Sequence, residues 1–191
     1  YSKTIEHPFT NAIVKIDVSP RRRTFGQVVG ARKGNVDQYD PVFRNAADPA
    51  AYPAGTWARL DTLMNSAKAF GVNVMLTPTG PVPKWATAKK KDHLTRPNAR
   101  LFGQFVKALA TRYGSQVDMW SIWNEPNQPQ FLLPQYRKGK PYSPVLYRNL
   151  YRAAHNAIRS VAANKKDKIL IGETSPRGNV HIVHPLKFLR G

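Results

Sequence analysis

The feature that most constrains this sequence is an apolar, aromatic-rich run that ends in two polar residues and a proline. Residues 117–123 read Val-Asp-Met-Trp-Ser-Ile-Trp, and Asn124, Glu125 and Pro126 follow them. A short apolar run of this kind predicts a buried β-strand. Proline ends regular strand pairing because it has no N–H to donate. In α/β barrels the catalytic side chains lie at the carboxyl ends of buried strands. Glu125 is therefore the first candidate for a functional residue.

The rest of the chain alternates between strand patterns and helix patterns. Apolar runs rich in β-branched residues predict further strands at residues 12–18, 72–77 and 168–172. Apolar residues at helical spacing predict helices at residues 57–70, 98–113 and 143–161, with Thr56 and Ser143 as N-caps. Strands that alternate with helices form a parallel sheet with right-handed crossovers. We expect a single α/β domain over residues 1–191, with a long loop at residues 20–55.

Length and composition narrow the class of protein. The chain has 191 residues and no cysteine, and it begins at Tyr1. This length suits one domain but is short for a complete (β/α)8 barrel of roughly 250 residues, so we expect a processed or trimmed product. The sequence contains no run of about 20 apolar residues, so it predicts no membrane-spanning helix. No metal-ligand spacing and no nucleotide-binding motif is present, so we expect no metal and no cofactor.

The sequence is strongly basic, with 30 Lys and Arg against 11 Asp and Glu and a net charge of +19. Such a balance favours anionic partners. The basic residues are dispersed, however, and form only short clusters at residues 21–23, 89–91 and 165–166. No nucleic-acid-binding motif accompanies them. We therefore predict a solvated basic surface and no specific nucleic-acid partner, and a basic polyanion-binding domain remains an alternative.

The strand that ends in Asn124-Glu125-Pro126 resembles the acid/base strand of the retaining glycoside hydrolases with a TIM-barrel fold. The longer run from Trp123 to Gln128, with Phe-Leu-Leu-Pro-Gln at residues 131–135, resembles the cellulase-like glycosylhydrolases within that group. The resemblance implies a (β/α)8 barrel of the TIM type, of which about strands two to five are visible. A small open sheet is the alternative architecture for the strands that the sequence predicts. The resemblance also implies that Glu125 is the general acid/base and that Asn124 contacts the sugar 2-hydroxyl. From this resemblance we also expect a carbohydrate substrate and a secreted location of the protein.

A retaining glycosidase needs a second carboxyl about 5–5.5 Å from the first. In the resembled proteins this nucleophile lies on the seventh strand, beyond the strands visible here. Glu173 is the other acidic residue at the end of a predicted strand, and we predict that it binds substrate, with the nucleophile as its less favoured role. Lys15 stands near a position where the resembled proteins usually carry arginine. Lysine lacks the bidentate fork of arginine, so we assign Lys15 no role.

Two tryptophans complete the predicted substrate-binding residues. Trp85 lies in the Pro- and Gly-rich loop after the strand at residues 72–77, where it either stacks on a sugar or packs the loop onto the core. Trp120 and Trp123 should point to opposite faces of their strand because side chains alternate. At least one of them is therefore a core residue, and we expect Trp123 to contribute to substrate binding. A carbohydrate-binding relative that lacks the nucleophile is the second alternative function.

Overall fold

Within the described residues, four parallel strands form a sheet in chain order. The computed structural model describes residues 13–18, 46–52 and 55–191, and within the first range it describes the side chains of Lys15 and Val18 only. The sheet runs β1 (Ile13–Val18), β2 (Asn73–Pro78), β3 (Met119–Ser121) and β6 (Lys168–Leu170). A small antiparallel hairpin of β4 (Tyr136–Arg137) and β5 (Lys140–Pro141) lies between β3 and β6 in the chain. The predicted loop at residues 20–55 lies largely outside the described residues.

Helices make the connections between the strands, as the sequence predicts. They are α1 (Ala58–Ala69), α2 (Ala99–Tyr113), α3 (Ser143–Arg159) and, after β6, the short α4 (Pro185–Arg190). Single 3-10 turns occur at Pro49–Ala51, Lys84–Ala86, Gly114–Gln116 and Ala162–Asn164. The prediction that the Asn-Glu strand lies inside a parallel sheet is confirmed, because β3 pairs in parallel with β2 on one side and β6 on the other. None of the helices in the described ranges is long and apolar enough to cross a membrane.

Two predicted helix caps are wrong. Helix α1 has Trp57 at its N-cap position without a side-chain cap. The preceding Thr56 is buried, and its Oγ1 has no hydrogen-bond partner among the described residues. Ser143 is the first residue of α3 rather than its cap. Its hydroxyl instead donates to Gln135 Oε1 at 3.0 Å, so a tertiary hydrogen bond replaces the local one.

The core lies where α2 and α3 pack against each other and against the sheet. Gly103 of α2 allows this approach, because a Cβ at that position would lie 3.2 Å from the Cβ of Ala153 on α3. The large buried apolar residues of the two helices are Phe102, Phe105, Val106, Leu109, Tyr113, Leu146, Tyr147, Leu150 and Ile158, and the alanines Ala108, Ala110, Ala154 and Ala157 are buried beside them. Their burial contributes about 1.5–3 kcal/mol for each large side chain.

A hydrogen-bonded cluster ties α1 to α2. The guanidinium of Arg112 donates to both carboxylate oxygens of Asp61 at 2.9 and 2.7 Å, and the hydroxyl of Tyr113 donates to Oδ1 at 2.7 Å. The bonds from Arg112 hold the pKa of Asp61 below its ordinary value, against the opposing effect of burial. Burial and the bond to Asp61 raise the pKa of the Tyr113 hydroxyl. The hydrogen bonds of this cluster therefore favour the ionised form of Asp61.

One edge of the described sheet is apolar and exposed. Strand β6 pairs with β3 and with none of the other described strands. Leu170 at its end and the following Ile171 are 40% and 60% exposed. This edge differs from the interior of the sheet, where Leu76 and Trp120 are fully buried.

Candidate functional site

The carboxyl ends of the parallel strands bring the predicted polar residues together. Asn124 and Glu173 face each other in a parallel bridge beyond the ends of β3 and β6. The N–H of Glu125 donates to the carbonyl of Glu173 at 2.9 Å. The pairing of β3 with β6 therefore continues past both strands and fixes the backbones of Asn124, Glu125 and Glu173 side by side, as expected for neighbouring strand ends.

Lys15 connects these residues through its side chain. Its ammonium donates to Asn124 Oδ1 at 3.2 Å and forms an ion pair with Glu173 Oε2. The side chains of Lys15 and Glu173 are 29% and 36% exposed, so the pair is only partly screened by water. We call Lys15, Asn124 and Glu173 the Lys-Asn-Glu cluster. Sequence reasoning assigned no role to Lys15, which lies on β1, two strands away from β3 in the sheet.

The backbone at Glu125 has a conformation that non-glycine residues rarely adopt. Trp123 has φ of 66° and Glu125 has φ of 41°, both in the left-handed region. Such conformations cost about 1–3 kcal/mol each and persist only when the surroundings enforce them. Here the N–H of Trp123 donates to Pro78 O at 2.9 Å, and the N–H of Asn124 donates to Thr79 Oγ1 at 3.0 Å. The sharp turn places Glu125 half-buried at the edge of the sheet.

Trp123 lies inside the protein instead of facing a ligand. Its side chain is completely buried, its ring packs edge-on against Phe102 at 5.2 Å, and Nε1 donates to Phe131 O at 3.2 Å. Gly80 covers the ring so closely that an added Cβ would lie 2.6 Å from it. Trp120 is also fully buried. Both tryptophans are therefore core residues in the described part of the chain, and a contribution of Trp123 to substrate binding stays a prediction.

Trp85 is half-buried in the 3-10 turn Lys84–Ala86. It packs against the core, and it also lines a groove of about 430 Å³ between the loop that follows β2 and the first turns of α2 and α3. Trp85 therefore packs the loop onto the core, as one of the two expectations states. Its part in stacking on a sugar stays a prediction. No member of the Lys-Asn-Glu cluster lines this groove.

A buried amide network supports the loop that follows Glu125, and the sequence analysis did not predict it. Asn127 Nδ2 donates to Ser175 O and Val183 O at 2.9 and 3.0 Å, and Asn127 Oδ1 accepts from Ser175 N at 2.8 Å. Gln128 Nε2 donates to Ser175 Oγ at 2.5 Å. The loop after β3 is thus attached to the segment after β6. This attachment stabilises the relative positions of Glu125 and Glu173.

Tyr147 of α3 supports the other side of the site. Its hydroxyl oxygen accepts the N–H of Gly172, which directly precedes Glu173, and burial raises the pKa of this hydroxyl. Gly172 must lack a side chain because a Cβ would lie 2.5 Å from Ile122 O. The close approach of these two backbones holds Glu173 against the Asn-Glu turn.

The site offers carboxylates, an amide and an ammonium. Among the described residues, no group of three or more His, Asp and Glu side chains could hold a metal ion. The expected lack of a metal and of a cofactor stays a prediction. Chemically, the arrangement can transfer a proton through Glu125 and donate hydrogen bonds through Asn124 and Lys15.

A parallel sheet with helical crossovers and polar residues at its carboxyl edge defines an α/β protein. Solved structures of glycoside hydrolases with a TIM-barrel fold resemble this chain. The β-glucosidase from Pyrococcus furiosus is 17% identical with a TM-score of 0.52, over 85% of this chain and 41% of that protein. Fpglu1 from Fervidobacterium pennivoraus is 14% identical with a TM-score of 0.53, over 85% of this chain and 37% of that protein.

ZgEngAGH5_4, solved in complex with a cellotriose, is 14% identical with a TM-score of 0.51, over 91% of this chain and 46% of that protein. The chain therefore spans less than half the length of these three proteins. No protein-family model and no curated protein matches the sequence. At these identities the similarity establishes the fold. The described sheet corresponds to part of such a barrel, and its assignment to strands two to five stays a prediction.

Proposed function

We propose that this chain carries the general acid/base of a retaining glycoside hydrolase. The observation that carries the proposal is the position of Glu125, which lies half-buried at the carboxyl edge of a parallel sheet, on a strained turn, beside Asn124 and Glu173. Strained backbone conformations concentrate at functional sites. The carboxyl edge of the sheet is where barrels of this type carry their chemistry.

Glu125 and Asn124 have complementary roles in this proposal. Glu125 protonates the leaving glycosidic oxygen and then activates the water that completes hydrolysis. Asn124 Oδ1 already accepts a hydrogen bond from Lys15, which orients the amide. Its Nδ2 group has no partner among the described residues and is available to donate to the sugar 2-hydroxyl. Hydrogen bonds to this hydroxyl strengthen in the transition state.

Glu173 binds substrate in this proposal, and the nucleophile comes from elsewhere in the protein. The ammonium of Lys15 stabilises the negative charge of Glu173, which makes the carboxylate a weaker nucleophile. Among the other acidic side chains that the structure describes, Asp118 precedes β3 and Asp167 precedes β6, so both lie at the opposite edge of the sheet. Trp123 supports the Asn-Glu turn from the core.

The ion pair of Glu173 also favours a second candidate function. If no other carboxylate reaches the sugar, the site binds carbohydrate without cleaving it. The two functions differ in one measurable respect, because a binding protein has no use for a proton donor at residue 125.

The substitution Glu125→Gln tests the proposal. We expect hydrolysis of unactivated oligosaccharides to fall by roughly 10²–10⁴-fold, because the proton donor is lost. An activated aryl glycoside needs little protonation of its leaving group, so its glycosylation step should change least. Added azide should restore turnover of this substrate by replacing the activated water. Full hydrolysis of unactivated substrate by the variant would contradict the assignment.

The substitution Glu173→Gln serves as the companion experiment. We expect it to weaken sugar binding while a measurable rate remains. Complete loss of hydrolysis, with rescue by azide to a product of inverted configuration, would identify Glu173 as the nucleophile. Binding of sugar by every variant, without hydrolysis by any, would establish the carbohydrate-binding function instead.

A further inference from the structure

The groove beside Trp85 has a composition that the proposed reaction does not explain. Its walls carry two aromatic side chains, two cations and two amides, which are Trp85, Tyr142, Lys90, Arg96, Asn98 and Asn149. No acidic side chain lines it. An aromatic wall with a few polar groups is the usual make-up of a small-ligand site.

Both cations of the groove lack a hydrogen-bond or ion-pair partner among the described residues. Lys90 and Arg96 are exposed, and neither side chain forms a hydrogen bond or an ion pair with any residue that the structure describes. Asp92, the acidic residue between them in the chain, is occupied, because Oδ1 accepts the N–H groups of Leu94 and Thr95 at 2.8 and 2.6 Å. The groove therefore carries two positive charges without an ion-pair partner among the described residues. Helix α2 begins at its wall with the positive end of its dipole.

The loop that carries these cations is held in place by backbone hydrogen bonds. Arg96 N donates to Leu133 O at 2.8 Å, Leu133 N donates to Leu94 O at 3.0 Å, and Asn98 N donates to Ala86 O at 2.8 Å. Lys90 and Arg96 have φ of 54° and 52°, left-handed conformations that such bonding maintains. Strain of this kind is typical of ligand clamps. The groove is preformed, so a ligand would not have to order it.

We propose that this groove binds an acidic sugar of the uronate class. The proposal rests on the proposed function and specifies its substrate. Arg96 offers a bidentate fork for the carboxylate, and Lys90 adds a second positive charge. Trp85 supplies a flat apolar face for the C–H side of the sugar ring. The ring of Tyr142 adds a second aromatic wall, and the guanidinium of Arg137 lies 5.4 Å from its centroid. The amides of Asn98 and Asn149 bind hydroxyl groups. The net charge of +19 then attracts an acidic polysaccharide over longer range.

Calorimetric titration of the chain tests this inference. The two ligands are an oligogalacturonate and a neutral cello-oligosaccharide of equal length. Both titrations are carried out at an ionic strength of about 0.15 M. We expect the oligogalacturonate to bind at least about tenfold more tightly than the neutral ligand. Arg96→Gln and Lys90→Gln should each weaken its binding by about tenfold, the effect of losing one charged hydrogen bond.

Lys107→Gln is the matched control. Lys107 is exposed on α2 and does not line the groove, so its substitution changes the net charge equally. We expect it to change the affinity less than twofold. Equal weakening by Lys107→Gln, or equal affinity for the neutral ligand, would overturn the proposal. A sulfated oligosaccharide or a short oligonucleotide that binds as tightly as the uronate would overturn the assignment to uronates.

The two proposals fail in different ways. If Glu125→Gln abolishes hydrolysis but oligogalacturonates do not bind, the glycosidase function stands and the uronate groove is wrong. If oligogalacturonate binding depends on Arg96 while Glu125→Gln keeps full activity, the groove stands and the catalytic assignment is wrong. Circular dichroism of each groove variant checks that its fold is unchanged.

Discussion

At the scale of single residues, the structure reveals contacts of Lys15 that the sequence did not predict. It is the only described cation that contacts both Asn124 and Glu173. Lys15→Met would remove the hydrogen bond that orients the Asn124 amide and would leave Glu173 without its counter-charge. We expect sugar affinity or hydrolysis to fall by about tenfold or more, as for the loss of a charged hydrogen bond.

Lys15→Arg is the control for this prediction, because arginine keeps the charge and can donate to both partners. We expect it to retain most of the function of the original chain. An unchanged affinity and rate in Lys15→Met would show that the Lys-Asn-Glu cluster has no functional part. Nuclear magnetic resonance of the Asn124 side-chain amide would report the loss of its partner directly.

The sequence predicted the residues of the site better than their surroundings. Asn124, Glu125 and Glu173 follow strands, and parallel strands end at one edge, so their proximity was predictable from the chain. The left-handed conformation of Trp123 was not predictable, because hydrophobic periodicity does not report the sign of φ. The bond between Lys15 and Glu173 was also missed, since it joins residues far apart in the chain.

At the scale of elements, the helices and strands were predictable but several of their ends were not. The predicted strand at residues 117–123 is regular only from Met119 to Ser121, because the turn at Trp123 ends it early. Helix α3 begins at Ser143, whose hydroxyl bonds to Gln135 in another loop. Periodicity reports which face of an element is buried, whereas tertiary hydrogen bonds decide where the element stops.

The bond between α1 and α2 leads to a prediction about pH. Bonds from Arg112 place the pKa of folded Asp61 below its ordinary value of 3.8. A lowered folded pKa means that Asp61 contributes stability above pH 3.8 and that this contribution is lost as the pH falls through the folded pKa. We expect Asp61→Asn to lower the melting temperature at neutral pH, with the difference disappearing in strong acid.

Thermal melts of the two proteins between neutral and strongly acidic pH check this expectation. The double variant Asp61→Asn with Arg112→Gln is the control, because removal of both partners leaves no unpaired charge. It should melt close to Asp61→Asn at acid pH and follow the same pH dependence as Asp61→Asn. A pH-independent difference between the original chain and Asp61→Asn would show that the ionised carboxylate is not what stabilises the contact.

At the scale of the whole molecule, the parallel α/β architecture was predictable from the sequence, whereas closure of such a sheet into a barrel is not predictable in this way. Alternating strand and helix patterns specify parallel pairing of neighbours in the chain. Closure of a barrel depends on pairing between strands that are distant in sequence, and local patterns carry no record of it. The groove with Trp85, Lys90 and Arg96 was equally hidden, because it joins one loop to the first turns of two helices.

The apolar edge at β6 has a consequence for the behaviour of concentrated solutions. An uncovered strand edge is a template for pairing with another chain, and exposed Leu170 and Ile171 make such pairing favourable. We expect the particle size from light scattering to grow with protein concentration, and Ile171→Lys to suppress this growth. Val180→Lys replaces an apolar residue that is 81% exposed and lies outside any strand, so it should have little effect. Equal suppression by both variants would mean that added charge, not the strand edge, controls the colloidal stability of the chain.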